Sequence, residues 1–169
     1  MFGTFCYLLA GVLRALNGLP SGAAVTQFTH FNTALAWLNL YGFFAMVMFG
    51  AIYFIVPRLM QMEFPVAAWV RMHFLASAVG GVLYVMPLFI GGLMQGAALN
   101  DKTKPFVEVV KSTLPFVGLS TLGLLLVAVG NAALFANLVK MLVQCCRECC
   151  RPAALFSNES KAETAEAIR

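Results

Sequence analysis

FNTALAWLNLYGFFAMVMFGAIYFIV, residues 31–56, runs for 26 residues without a charged side chain. A transmembrane helix needs about 20 predominantly apolar residues, so this run is long enough to cross a bilayer, and Pro57-Arg58 reads as its stop. The whole chain agrees with that reading: of 169 residues, 61% are hydrophobic and 11% charged, and the mean hydropathy is +0.85. An average soluble domain is about half apolar and a quarter charged. A soluble globular domain is therefore excluded, and no stretch of ordinary soluble composition is long enough to fold as a large catalytic domain outside the membrane.

Working outward from this run, three more apolar stretches approach bilayer length. Residues 2–16 form a short one, broken near its end by Arg14. Its charge follows the apolar stretch instead of preceding it, so a retained short helix is expected rather than a cleaved signal peptide. Residues 17–29, with Asn17, Gly18, Pro20, Ser21 and Gly22 and no charge, read as a connection on the non-cytoplasmic side. Residues 67–97 form a third span, with Arg71 and His73 in its first two turns and Pro87, which lacks an amide proton, expected to kink it. Residues 100–113 hold Asp101, Lys102, Lys104, Glu108 and Lys111 and read as a loop, and residues 114–143 form a fourth span.

The expected fold is all-α: a bundle of four transmembrane helices over residues 1–144, followed by a cytoplasmic Cys cluster and a polar, mobile or weakly helical tail over residues 145–169. With four spans, Arg58, Lys140, Arg147, Arg151, Lys161 and Arg169 share one side, with Arg71 near it, and Arg14, Lys102, Lys104 and Lys111 lie on the other. That bias puts both termini in the cytoplasm. It also accounts for the net charge of +4, so nucleic acid is not an expected partner.

The candidate ligand residues are few. His30, at the mouth of the second span, can ligate a haem or metal or serve as a hydrogen-bonded interfacial anchor. Arg71 and His73 together can hold a lipid phosphate, a quinone carbonyl or a propionate, or act separately as a snorkelling cation and an interhelical hydrogen-bonding group. Cys145/Cys149 and Cys146/Cys150 are two i,i+4 pairs that line adjacent faces of a continued helix. Each pair can offer two thiols to a metal, but one helix cannot wrap four thiolates into a tetrahedron, so a closed site needs the helix to end there or a second chain to contribute. Lipidation and simple reduced thiols are the other readings. Asn32, Asn39, Asn131 and Asn137 read as interhelical hydrogen-bonding amides, and the spacings Ala76/Gly80 and Ser77/Gly81 allow close helix approach. Neither a Gly-rich phosphate loop, a catalytic Ser/His/Asp set nor paired membrane carboxylates occur.

Several segments resemble a known family. Thr29-His30-Phe31-Asn32 leading to Tyr41-Gly42, then Gly50-Ala51-Ile52-Tyr53 and Pro57-Arg58-Leu59, is similar to the tenth helix of the catalytic subunit of haem-copper oxidases of the cbb3 type. Arg71-Met72-His73-Phe74 through Gly91-Gly92-Leu93-Met94-Gln95-Gly96 resembles the helix that follows, and Phe106-Val107-Glu108 with Pro115, Gly123, Gly130 and Asn137 resembles the last helix and its loop. The resemblance reaches about Leu142 but covers only the last third of a family subunit. In that family a His-x-His pair on the tenth helix ligates the two haem irons; the alignment puts Leu35 and Trp37 on those positions, and neither side chain has a lone pair to offer iron.

The resemblance implies a truncated or accessory subunit I-like protein of a bacterial inner (cytoplasmic) membrane, a multi-pass member of a respiratory electron-transfer complex. Its partners would be other oxidase or electron-transfer subunits and the bilayer, with a homo-oligomer left open. By the family route it is expected to carry no haem, and although the family is a terminal oxidase this chain alone is not expected to catalyse. Two alternatives stay open: the C-terminal part of a split catalytic oxidase, and a stand-alone membrane protein binding haem, quinone or lipid through His30 or Arg71/His73.

Overall fold

In the computed structural model, which describes the backbone of residues 1–167 and the side chains of residues 1–148, the long apolar run is one helix with a change of winding inside it. Thr29, in extended backbone, accepts a hydrogen bond from the Phe31 amide at 3.3 Å and so caps α3 (His30–Trp37). A π-helical segment, Leu38–Ala45, follows, and then α4 (Met46–Met60). Together His30–Met60 make a candidate membrane span. The helix continues through Pro57 and ends at Gln61, whose left-handed backbone (φ 51°) turns the chain.

The segment before this helix is not a plain connection. α1 (Phe2–Asn17) is followed after a 102° bend by a second helix, α2 (Pro20–Thr26). Pro20 sits at the first helical position, where its fixed φ suits the helix and its missing amide proton costs nothing. The uncharged polar residues of the stretch satisfy the chain ends internally. Asn17 bonds Thr26 and, at 2.9 Å, Asn32, while Asn32 donates back to the Thr26 carbonyl at 3.2 Å. What reads as loop composition is therefore the hydrogen-bonded corner of α1, α2 and α3.

α5 (Ala67–Leu99) passes through the buried Pro87 as one helix, and α6 (Phe106–Ala167) starts at Phe106, inside the stretch that reads as a loop. Glu108 in the first turn of α6 complements the helix dipole. The turn between the two helices is closed by Asp101, which accepts from the Thr103 hydroxyl at 2.6 Å and the Thr103 amide at 3.0 Å, and these bonds hold its carboxyl below its ordinary pKa. α6 also remains helical beyond the cysteines as far as Ala167. The described residues are helical or lie in short connections, with no strand among them. Among them, three helices are long and apolar enough to cross a membrane, or up to four if the bent α1–α2 pair counts as one span.

α5 and α6 pair antiparallel along their length. Among the described side chains of α6, the buried ones are Val109, Thr113, Ser120, Gly123, Val127, Gly130, Leu134, Asn137 and Met141, separated by four, three or seven positions. A 3.5-residue period of this kind gives the seam of a left-handed helix pair. Gly80 and Gly123 bring the two backbones together: a Cβ at Gly80 would meet the Gly123 carbonyl at 2.8 Å, and one at Gly123 would meet the Gly80 carbonyl at 2.7 Å. On other faces of α5, Gly92 lies against Phe31 of α3 and Gly96 against the Val25 carbonyl of α2. α1 packs its small residues Gly3, Cys6 and Ala10 on the π-helical segment, where a Cβ at Gly42 would touch Cys6 at 3.2 Å. Asn137, fully buried, pairs with both backbone groups of Val66, accepting at 3.2 Å and donating at 3.0 Å, and so ties the start of α5 to α6.

Two substitutions should separate these contributions. Gly123→Leu forces side-chain atoms into the backbone of α5 and should lower stability by at least the ~1–3 kcal/mol typical of overpacking. Asn137→Leu keeps the branching and heavy-atom count of the side chain but strands two backbone groups, at about 1–3 kcal/mol each. Thermal unfolding of the detergent-purified chain measures both; wild-type stability in Gly123→Leu would contradict the close approach.

Candidate functional site

His73 is the more deeply placed of the chain's two histidines, with no exposed surface. It is buried because the next residues on its face of α5, Ala76, Ser77 and Gly80, are small enough for α6 to close over it, and Gly130 of α6 lies against the His73 and Ala76 positions. Three elements then supply polar partners. Tyr53 of α4 places its hydroxyl on Nδ1, Asn131 of α6 places Oδ1 at 2.9 Å from Nε2, and Ser77, one turn along α5, lies at 3.3 Å from the same nitrogen. Tyr41 of the π-helical segment completes the set, with its hydroxyl 3.2 Å from Ser77 Oγ and 3.5 Å from Asn131 Oδ1. Phe49 packs edge-on against the imidazole, with ring centroids 4.5 Å apart.

With Asn131 Oδ1 placed against Nε2, one neutral tautomer of His73 satisfies every partner. A carbonyl oxygen only accepts, so Nε2 carries the proton that bonds Asn131, and Nδ1 is left with the lone pair that takes the Tyr53 proton. This neutral imidazole has both nitrogens engaged. Tyr53, His73, Ser77 and Tyr41 thus form one hydrogen-bonded chain from α4 to the π-helical segment. Beside Tyr41 and Ser77 an apolar cavity of about 340 Å³ opens between α1, the π-helical segment and α5, lined also by Cys6, Trp37 and Gly81.

The other residues singled out by sequence are dispersed. Arg71 is exposed while His73, two residues on, is buried. His30 is half-buried, and its backbone amide donates to Gln95 Oε1 at 3.0 Å. Leu35 lies in the main apolar cluster with Phe31, Ala34, Leu38, Val85 and Leu88. Trp37 packs against Tyr84 of α5 at 4.6 Å between ring centroids and against Tyr41 at 5.7 Å. Cys145 is half-buried and Cys146 exposed, both free thiols; the side chains of Cys149 and Cys150 lie outside the described residues. Among the described residues no cluster of three or more His, Cys, Asp or Glu side chains could hold a metal ion.

Tyr41, Tyr53 and Ser77 were not legible as partners of His73. The only local signal is the i,i+4 spacing of His73 and Ser77, which puts both on one face of α5; the tyrosines and Asn131 come from distant helices. Removing the phenol in Tyr53→Phe leaves the Nδ1 lone pair without its donor and should cost about 1–3 kcal/mol, read by thermal unfolding. Nitrogen chemical shifts of the imidazole should report the Nε2–H form, and the opposite tautomer would overturn the assignment.

This geometry sits in a chain with recognisable relatives. Residues 1–126 match the family model described as cytochrome c and quinol oxidase polypeptide I. The chain is 28% identical over 125 residues to the cbb3-type cytochrome c oxidase subunit CcoN1 of Stutzerimonas stutzeri, a match that covers 70% of this chain and 25% of that protein. It is 25% identical over 138 residues to a cytochrome c oxidase subunit 1 homolog of Azorhizobium caulinodans, covering 78% of this chain and again 25% of the relative. The chain therefore spans about a quarter of the length of the curated relatives it matches. With a family model matched over residues 1–126, about three quarters of its length, the chain belongs to the cytochrome c and quinol oxidase polypeptide I family.

Proposed function

We propose that this chain is a truncated or accessory cytochrome oxidase subunit I-like protein of a bacterial respiratory membrane that holds no haem by the family's histidine route. One observation supports the reading above all: the two positions that the resemblance aligns with the family's haem-ligating histidines hold packed apolar side chains. Leu35 is 5% exposed within the apolar cluster, and Trp37 is seated on Tyr84. The remaining donor set fits haem poorly. Both ring nitrogens of His73 are engaged, by Tyr53 on one side and by Asn131 and Ser77 on the other, which leaves His30 as the only other imidazole.

In this role the chain has four spans, α1 with α2 counting as the first, and both termini in the cytoplasm, with Arg58 and Lys140 on the cytoplasmic side. It packs against oxidase or electron-transfer subunits through surfaces that its relatives use within one chain. The free face of α4 supports such a contact: among the described residues α4 buries none, and Phe54, Ile55 and Leu59 are all more than half exposed.

Two measurements test this reading. The detergent-purified chain should show no Soret absorption and should co-purify with oxidase subunits; a Soret band that vanishes in His30→Ala would overturn the haem-free reading, and a band that forms only on co-expression with a second polypeptide would make the chain part of a split oxidase. An impermeant thiol reagent added to intact cells should leave Cys145 and Cys146 unlabelled, and labelling from outside would reverse the orientation.

A further inference from the structure

Three cations stand near the end of the bundle where α4 finishes and α5 begins, and two of them are seated on aromatic rings. Arg58 Cζ lies 3.5 Å from the centroid of Phe54, and Lys140 Nζ lies 4.0 Å from that of Trp69. Arg71, at the start of the second turn of α5, is the exception: it is exposed, with neither an aromatic ring nor a carboxylate against it among the described residues. The two grooves beside it are apolar. One runs down α5 past Met72, Ala76 and Val79 to Leu126 of α6, with a volume of about 660 Å³. The other lies on the α4 side, along Tyr53, Val70 and Phe74, with a volume of about 440 Å³. Both are lined by Arg71 and Leu75, so a ridge made of these two side chains divides them.

We infer that Arg71 and its two grooves form a binding site for an anionic phospholipid with two acyl chains. The phosphate pairs with the Arg71 guanidinium, and one chain lies in each groove on either side of the Leu75 ridge. A guanidinium matches a phosphate in charge and in bidentate geometry, and its long stem lets the head reach the interface while the aliphatic part lines the grooves. Basic pockets between transmembrane helices select anionic head groups on the same grounds. Charge favours a lipid phosphate: among the described residues no carboxylate pairs with the Arg71 guanidinium, and the apolar grooves on either side of it give two acyl chains a place to lie. His73 takes no part, since it faces the opposite side of α5 and is closed in by α6. The site stands whether or not the haem-free reading holds.

The test is native mass spectrometry of the full chain released from nanodiscs of equal phosphatidylglycerol and phosphatidylcholine. Wild type should retain one phosphatidylglycerol in preference to phosphatidylcholine by about fivefold, the factor that ~1 kcal/mol per basic residue corresponds to. Arg71→Gln should bring the two lipids level, Arg58→Gln should leave the preference intact, and Leu75→Trp, which fills the head of both grooves, should reduce retention of both. On unmodified protein, diacyl phosphatidylglycerol should outcompete its single-chain lyso form. The inference is overturned if the preference survives in Arg71→Gln, if Arg58→Gln abolishes it equally, if the lyso form binds as well as the diacyl form, or if the face is held by a second copy and lipid-free dimers appear.

Discussion

The close approach of α5 and α6 is the constraint on which the rest of the bundle depends. Lipid tails are as apolar as the side chains they surround, so helices in a bilayer are held by van der Waals contact and interhelical hydrogen bonds and gain nothing from leaving water. Contact of that kind needs short distances, and here glycine supplies them: at Gly80 and Gly123 either Cβ would strike the opposing carbonyl. Once the two backbones meet there, the polar groups along the same seam come within bonding range. Asn131 reaches His73 two turns from the crossing, and Asn137 reaches the backbone of Val66 at the end of the seam. Had the helices stood further apart, as Leu at position 123 would require, these amides would face their partners on the α5 side across a gap.

The same seam explains why a histidine can be buried in the membrane at all. An unpaired imidazole in hydrocarbon would be costly, but three elements converge on His73 and leave neither ring nitrogen free. The winding of the long helix contributes. Tyr41 and Tyr53 are twelve positions apart, and in a regular α-helix of 3.6 residues per turn they would point about a third of a turn away from each other. The wider π-helical winding from Leu38 to Ala45 takes up part of that difference, so both hydroxyls reach the His73–Ser77–Asn131 cluster. Such segments often mark functional positions; here it also broadens the surface on which α1 packs through Gly3, Cys6 and Ala10.

Much of the architecture was readable from residue types. Residues 31–56 had to form an apolar helix because no charge interrupts them, and it is the family resemblance that draws attention to Leu35 and Trp37, by aligning them with positions that are histidine in the family. The polar stretches were harder to read. Asn17, Thr26 and Asn32 have the composition of a loop, yet they bond one another at the corner of three helices, and only the fold shows that their hydrogen bonds are internal. The start of α6 at Phe106 went unseen for a related reason: Lys102, Lys104, Glu108 and Lys111 say that the segment is wet, and a wet segment can be helical as well as irregular.

By itself, then, the sequence determined the solvent and the inventory of side chains: a chain with so few charges must lie in a bilayer, and it brings two histidines and five cysteines to whatever chemistry takes place there. The tertiary structure decided which groups meet. It turned His73 inward to Tyr53 and Asn131 and left Arg71, two residues away, facing out between two grooves. That division could not be read along the chain, because neighbours on a helix point in different directions and the partner that fills each direction comes from another helix, brought there by contacts between glycines far apart in sequence.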